Sequence, residues 1–166
     1  MKLKGVKKLD KGISQMVRKY ICEDITCKFS PIFCISDDTL YYSLFIDEDC
    51  NRDWSKWLKK TYGTRYSRDF SIFALSILHE IGHYFTLDDF DETEAFAGKE
   101  ELIIDLDADT EAQQTEKRFS YWNLPVEKAA TDWAIDFYNS HKKEMKIFCK
   151  DCEAFITSFY NKNLTV

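Results

Sequence analysis

From Phe70 to Phe85 the chain is apolar apart from two serines and the group His79-Glu80-Ile81-Gly82-His83. This stretch reads as a helix that begins at Ser67 or Asp69 and runs to about Phe85, with Ile72, Leu75, His79 and His83 on one face. Two histidines four residues apart lie one above the other on such a face. Their imidazoles can therefore bind a single Zn²⁺ at nitrogen–metal distances of about 2.0–2.1 Å. Glu80, between them, then stands beside the open metal position, where a carboxylate can take a proton from water. The chain has three histidines in all, His79, His83 and His141.

A metal site of this kind needs a third protein ligand. Glu127 is the best placed, in the first turn of a second helix whose Ala130 and Ala134 would let the two backbones approach. Asp89 is an alternative, six residues after His83, where an extended motif places a ligand. That arrangement calls for glycine at position 86, which here is Thr86. Glu92 and Glu94, in an acidic stretch, are further alternatives.

The rest of the chain supplies weaker punctuation. Asp10 can cap a helix to about Cys22 with Ile13, Met16, Val17, Tyr20 and Ile21 on one face. Two short strands follow, about 32–36 and 39–47, with Asp37-Asp38 as a hairpin turn. Asn51 can cap a helix bearing Trp54, Trp57, Leu58 and Tyr62, stopped at Gly63. Thr110-x-x-Gln113 fits a capping box that opens a helix to about Tyr121. Pro125 suits the first turn of the next helix, to about Ser140, and a last helix spans about 143–160. The expected fold is α+β: a mostly helical single domain over residues 1–166, with a small sheet or hairpin packed by the histidine-bearing helix.

Charge is unevenly spread. The net formal charge is −6, but residues 88–111 hold eleven Asp or Glu and one Lys. This acidic insert, about 87–111, is expected to be a solvated loop or a docking element for a basic partner. The overall balance argues against direct nucleic-acid binding. The first residues lack an apolar core of a signal peptide, and no run approaches the roughly 18 apolar residues of a membrane span, so a cytoplasmic protein is expected. The six cysteines are expected to be thiols. Cys149-x-x-Cys152 is a weak metal motif, read first as core packing. Asp105-x-Asp107-x-Asp109-x-Glu111 partly matches a calcium loop but has Thr110 where that loop requires glycine. Candidate donors to a developing oxyanion are His141, Tyr138 and Tyr84. The strand around Leu40–Ile46 is a candidate to receive an extended peptide by β-addition.

His79-Glu80-Ile81-Gly82-His83-Tyr84-Phe85, followed by Glu127-x-x-Ala130-x-x-Trp133-Ala134, resembles the ImmA/IrrE-type metallopeptidases of bacteria, phages and mobile elements. The resemblance implies zinc held by His79, His83 and Glu127, with Glu80 as general base. It also implies a narrow regulatory protein substrate, such as a helix-turn-helix repressor. Position 131 is Thr where that family has Asn or Asp, which leaves the outer hydrogen bond to a ligand histidine without its usual partner. Asp132 is the neighbouring candidate. The reading from another class is a non-catalytic, metal-containing interaction protein that acts by binding a protein partner, as an acidic decoy.

Overall fold

A computed structural model describes residues 5–44, 47–63, 69–91, 93 and 97–163. The chain folds as a mostly helical α+β structure with a three-stranded mixed sheet. Helix α1 covers Val6–Tyr20 and is followed by strands β1 (Thr26–Phe29), β2 (Cys34–Ser36) and β3 (Thr39–Tyr42). Helices α2 (Glu48–Tyr62), α3 (Asp69–Thr86), α4 (Glu111–Trp122), α5 (Pro125–Ser140) and α6 (Lys142–Asn163) complete it.

The expected hairpin forms, with Cys34 opposite Tyr41 and Ser36 opposite Thr39. Its turn needs a left-handed residue, and Asp37 supplies it at φ 51°. Aspartate tolerates that conformation because its short side chain can bond locally. The sequence reading missed β1, which pairs in parallel with β3 from Thr26↔Thr39 to Phe29↔Tyr42. The order is therefore β1-β3-β2. Strand β3 is central, with both sides paired, so the expected β-addition along Leu40–Ile46 has no free edge at Leu40–Tyr42. Residues 45 and 46 lie outside the described residues. β2 carries an outer edge instead.

Two expected caps are corrected. Asp10 lies inside α1, and its carboxylate accepts from the Phe29 amide at 2.7 Å and the Tyr42 hydroxyl at 3.0 Å, tying the helix to the sheet. Ser14 makes the neighbouring tie, accepting from the Cys27 amide at 2.8 Å. Helix α2 is capped not by Asn51 but by Asp47, which accepts from the Cys50 amide. Gly63 ends α2 at φ 73°, as expected of a left-handed stop. The Thr110–Gln113 capping box and Pro125 in the first turn of α5 are both present.

Helix α3 is the centre of the core. Ile72, Phe73, Ala74, Leu75, Ile77, Leu78 and Ile81 are all buried. A helix apolar on nearly every side is stable only when surrounded, and α3 packs on the sheet, on α5 and on α6. The α3–α5 contact is very close. A Cβ on Gly82 would collide with the carbonyl oxygen of Ala130, so the two backbones touch there. Ala130 and Ala134 are buried, as the close approach requires.

Between α3 and α4, the acidic segment contains short 3-10 turns at Leu87–Asp89 and Glu100–Leu102. The calcium-like pattern here serves the chain itself. Asp105 accepts from the amides of Asp107 and Ala108. Asp109 accepts from the Asp105 amide and from Lys117 at 2.6 Å, so an ammonium stands where a cation would. Cys152 is buried, with its sulfur 4.0 Å from that of Met16, which fits core packing. No described helix is long and apolar enough to cross a membrane.

Candidate metal centre

His79 and His83 follow each other on α3 with ring centroids 4.7 Å apart and ring planes at 81°. Across the Gly82–Ala130 contact, the first turn of α5 delivers Glu127. Its Oε2 lies 3.1 Å from His79 Nε2 and 3.3 Å from His83 Nε2. Among the described residues, this is the one group of His, Cys, Asp or Glu with metal-ligand spacing, its donor atoms all within 4.8 Å of one another. Asp89 is exposed on the 3-10 turn after α3 and is not part of it. Glu92 and Glu94 lie outside the described residues.

The surroundings fix the ligands more firmly than the sequence suggested. Thr131, one turn beyond Glu127, is 1% exposed. Its hydroxyl donates to the Glu127 carbonyl at 3.0 Å, and its oxygen lies 2.9 Å from His79 Nδ1. Having used its proton on the carbonyl, the hydroxyl must accept from His79, which places the imidazole proton on Nδ1. Thr131 therefore fills the role that its mismatch had seemed to leave empty. Asp132 faces elsewhere, toward the Tyr62 hydroxyl at 2.6 Å and Lys128 at 2.8 Å. The other Glu127 oxygen accepts from the Tyr121 hydroxyl at 2.6 Å. Trp54 of α2 packs edge-on against the His79 ring at 6.2 Å.

This hydrogen-bond pattern has a chemical consequence. With its proton on Nδ1, a neutral His79 presents an Nε2 lone pair to a carboxylate oxygen at 3.1 Å. Two acceptors stay that close only with a cation between them, either a proton or a metal ion. The spacing suits a metal, since tetrahedral bonds of about 2.0–2.1 Å put ligand atoms about 3.3–3.4 Å apart. The three residues can thus hold a metal ion.

In the bare protein, titration follows the same logic. Burial alone would raise the Glu127 carboxyl, but hydrogen bonds to His79 and His83 hold it well below the usual carboxylate range. Burial alone would disfavour a charged His79, yet the Glu127 bond and the carboxylates of Glu80 and Glu127 lift it above the ordinary imidazole value. Glu80 is raised above its ordinary value by burial, against the pull of His79 and His83.

The three ligands and Glu80 line one cavity of about 770 Å³. Its wall also includes Phe33, Cys34 and Ile35 around β2, Trp54 of α2, Lys99 of the acidic segment and Tyr121 at the end of α4. The expected oxyanion donors His141, Tyr138 and Tyr84 do not line it. His141 instead stacks on Phe137 at 4.2 Å near the far end of α5. The sequence reading missed Tyr121 and Lys99. A signal for Tyr121 existed: a helix closing near Trp122 and a new one opening at Pro125 leave a turn too short to separate Tyr121 from Glu127. No protein-family model, curated protein sequence or solved structure matches this chain.

Proposed function

We propose that this chain is a zinc-dependent endopeptidase with a narrow, regulatory protein substrate. The observation that carries the reading is the placement of Glu80 in the wall of the same cavity as the His79–His83–Glu127 group. A purely structural zinc site closes all four positions with protein ligands and needs no base. Three protein ligands with a carboxylate beside them suit hydrolysis.

When bound, Zn²⁺ supplies Lewis acidity toward a carbonyl and lowers the pKa of a coordinated water to about 7. Glu80 accepts one proton from the attacking water as the new carbon–oxygen bond forms. It returns that proton to the amide nitrogen as the carbon–nitrogen bond breaks. Its raised pKa brings it nearer the range in which a carboxylate can do both. Thr131 orients His79, and Tyr121 orients Glu127. Burial and the adjacent Glu127 push the Tyr121 phenol well above its ordinary value, so it remains a donor. The outer edge of β2, in the cavity wall, suits pairing with an extended substrate chain.

The resemblance to ImmA/IrrE-type peptidases adds the substrate class to this proposal: a DNA-binding repressor of a phage or mobile element, met in the cytoplasm. The six free thiols fit a reducing compartment. The competing reading, a metal-containing binding protein, differs in one testable respect. Co-expression with proteins encoded beside this chain should give a cleavage product that Glu80→Gln abolishes, with a rate loss of about 10²–10⁴. Circular dichroism and zinc content of that variant should match the wild type. A Glu80→Gln chain with undiminished activity would exclude the peptidase.

A further inference from the structure

Among its described residues, the acidic segment meets the cavity at Leu87 and at Lys99, and Lys99 is its one basic residue. Of its twelve charged residues between positions 88 and 111, eleven are acidic and one is Lys99. Glu100 and Glu101, next in sequence, are exposed and do not line the cavity, whereas Lys99 does. Among the described lining residues Lys99 is the only lysine or arginine, set in a wall with Glu80, Glu127 and Asp47.

Its position is held by the site. The Lys99 ammonium sits 5.4 Å from the centre of the Tyr121 ring, and the Tyr121 hydroxyl bonds Glu127. One tyrosine thus spans the distance between the ammonium and a metal ligand. An extended peptide, at about 3.3 Å per residue, covers such a span in about two to three residues. The segment behind Lys99 is braced against α4, with Lys117 donating to the Ile103 carbonyl at 2.9 Å.

Among the described lining residues outside the metal group, the fixed charges are carboxylates except at Lys99, so a ligand carboxylate lying away from the metal finds its counter-charge there. We propose that Lys99 is a specificity determinant that receives a carboxylate of the bound peptide within about three residues of the scissile bond. The carboxylate is an Asp or Glu side chain, or the peptide's own C-terminus. This inference rests on the peptidase reading for the word substrate, but its test needs only binding.

The probes are fluorescein-labelled, alanine-rich hexapeptides, titrated by anisotropy into the zinc-loaded full chain carrying Glu80→Gln, which leaves peptides intact. One series is amidated and places Glu or Gln at each position in turn. A second carries Gln with a free C-terminus. Glu at one position, or the free C-terminus, should tighten binding about fivefold, the order of one partly exposed ion pair. The arm that shows the gain identifies the source of the carboxylate. Adding Lys99→Met should bring the ratio to about one, Lys99→Arg should keep it, and Lys99→Glu should favour a Lys peptide. Equal binding of all probes, no binding of any, or a ratio unchanged by Lys99→Met overturns the inference. Cleavage by the intact chain is scored separately. Preference without cleavage keeps the role of Lys99 and removes the peptidase, and cleavage without preference does the reverse.

Discussion

Two buried carboxylates hold this molecule together at different joints, and they are neutralised in opposite ways. Asp53, its side chain fully buried between α2 and α4, accepts from Arg118 at 2.8 Å and Thr115 at 2.9 Å, with Arg52 3.5 Å away. Its nearest counter-charges are guanidinium groups that stay protonated at any pH a protein survives, with the Lys56 ammonium at 3.7 Å. Glu127, between α5 and α3, faces two imidazoles and a phenol. Its partners can lose their charge, and one has its ring proton already directed away by Thr131. The first joint carries its counter-charges as it folds, with both hydrogen bonds on Asp53 Oδ2 and none on the buried Oδ1 among the described residues. The second is closed by a cation that can leave, either a proton on His79, whose pKa is raised above the ordinary imidazole value, or a metal ion supplied from outside.

Removing that metal ion should give the largest effect. At free zinc a thousandfold above Kd, the ion would add about 4 kcal/mol to stability. Thermal unfolding with and without a chelator should show this loss in the wild type and none in His83→Ala. A melting temperature indifferent to zinc would erase the contrast between the joints. Asp53→Asn should cost about 3 kcal/mol in urea denaturation by stranding Arg118, and that loss should be the same with or without zinc. Burial opposes the Asp53 charge, but the Thr115 and Arg118 bonds and the arginine charges hold its pKa below the ordinary 3.8. Its contribution is therefore fully present above about pH 4 and is lost as pH falls through the lower folded value. The acid limb of a stability–pH profile should flatten in Asp53→Asn.

Two smaller effects sharpen the metal joint alone. Gly82→Ala must push α3 off the Ala130 backbone, costing about 2 kcal/mol and weakening zinc binding in the same variant. Destabilisation with unchanged zinc affinity would show that the helix contact and the ligand spacing are independent. Thr131→Val should lower zinc affinity about tenfold, or ~1.4 kcal/mol, by removing the acceptor for His79 Nδ1–H. Competition with a chromophoric chelator reads this directly, and Thr131→Ser should restore it.

The two joints also differed in how legible they were beforehand. His79, His83 and Glu127 could be brought together because helical spacing is a local rule and because Pro125 fixes where α5 begins. Small residues at 130 and 134 then signalled a close neighbour. Asp53 gave no such signal, since its partners Thr115 and Arg118 come from a helix more than sixty residues away. Strand β1 failed for a related reason. Thr26-Cys27-Lys28-Phe29 is four residues long, and its pairing is set by β3 and by Asp10 and Ser14 of α1. Thr131 was misread because residue type was weighed before geometry. A hydroxyl bonded back to its own helix can still accept a hydrogen bond.

The Gly82–Ala130 contact also acts as a gauge. Because backbone meets backbone there, the gap between the histidine face of α3 and the glutamate of α5 is set by main-chain atoms that cannot compress. An ion seeking six to eight oxygens at about 2.3–2.6 Å would have to part the helices and unseat the core helix. The smallest spacing open to the ligands is thus set by two residues that carry no ligand atom.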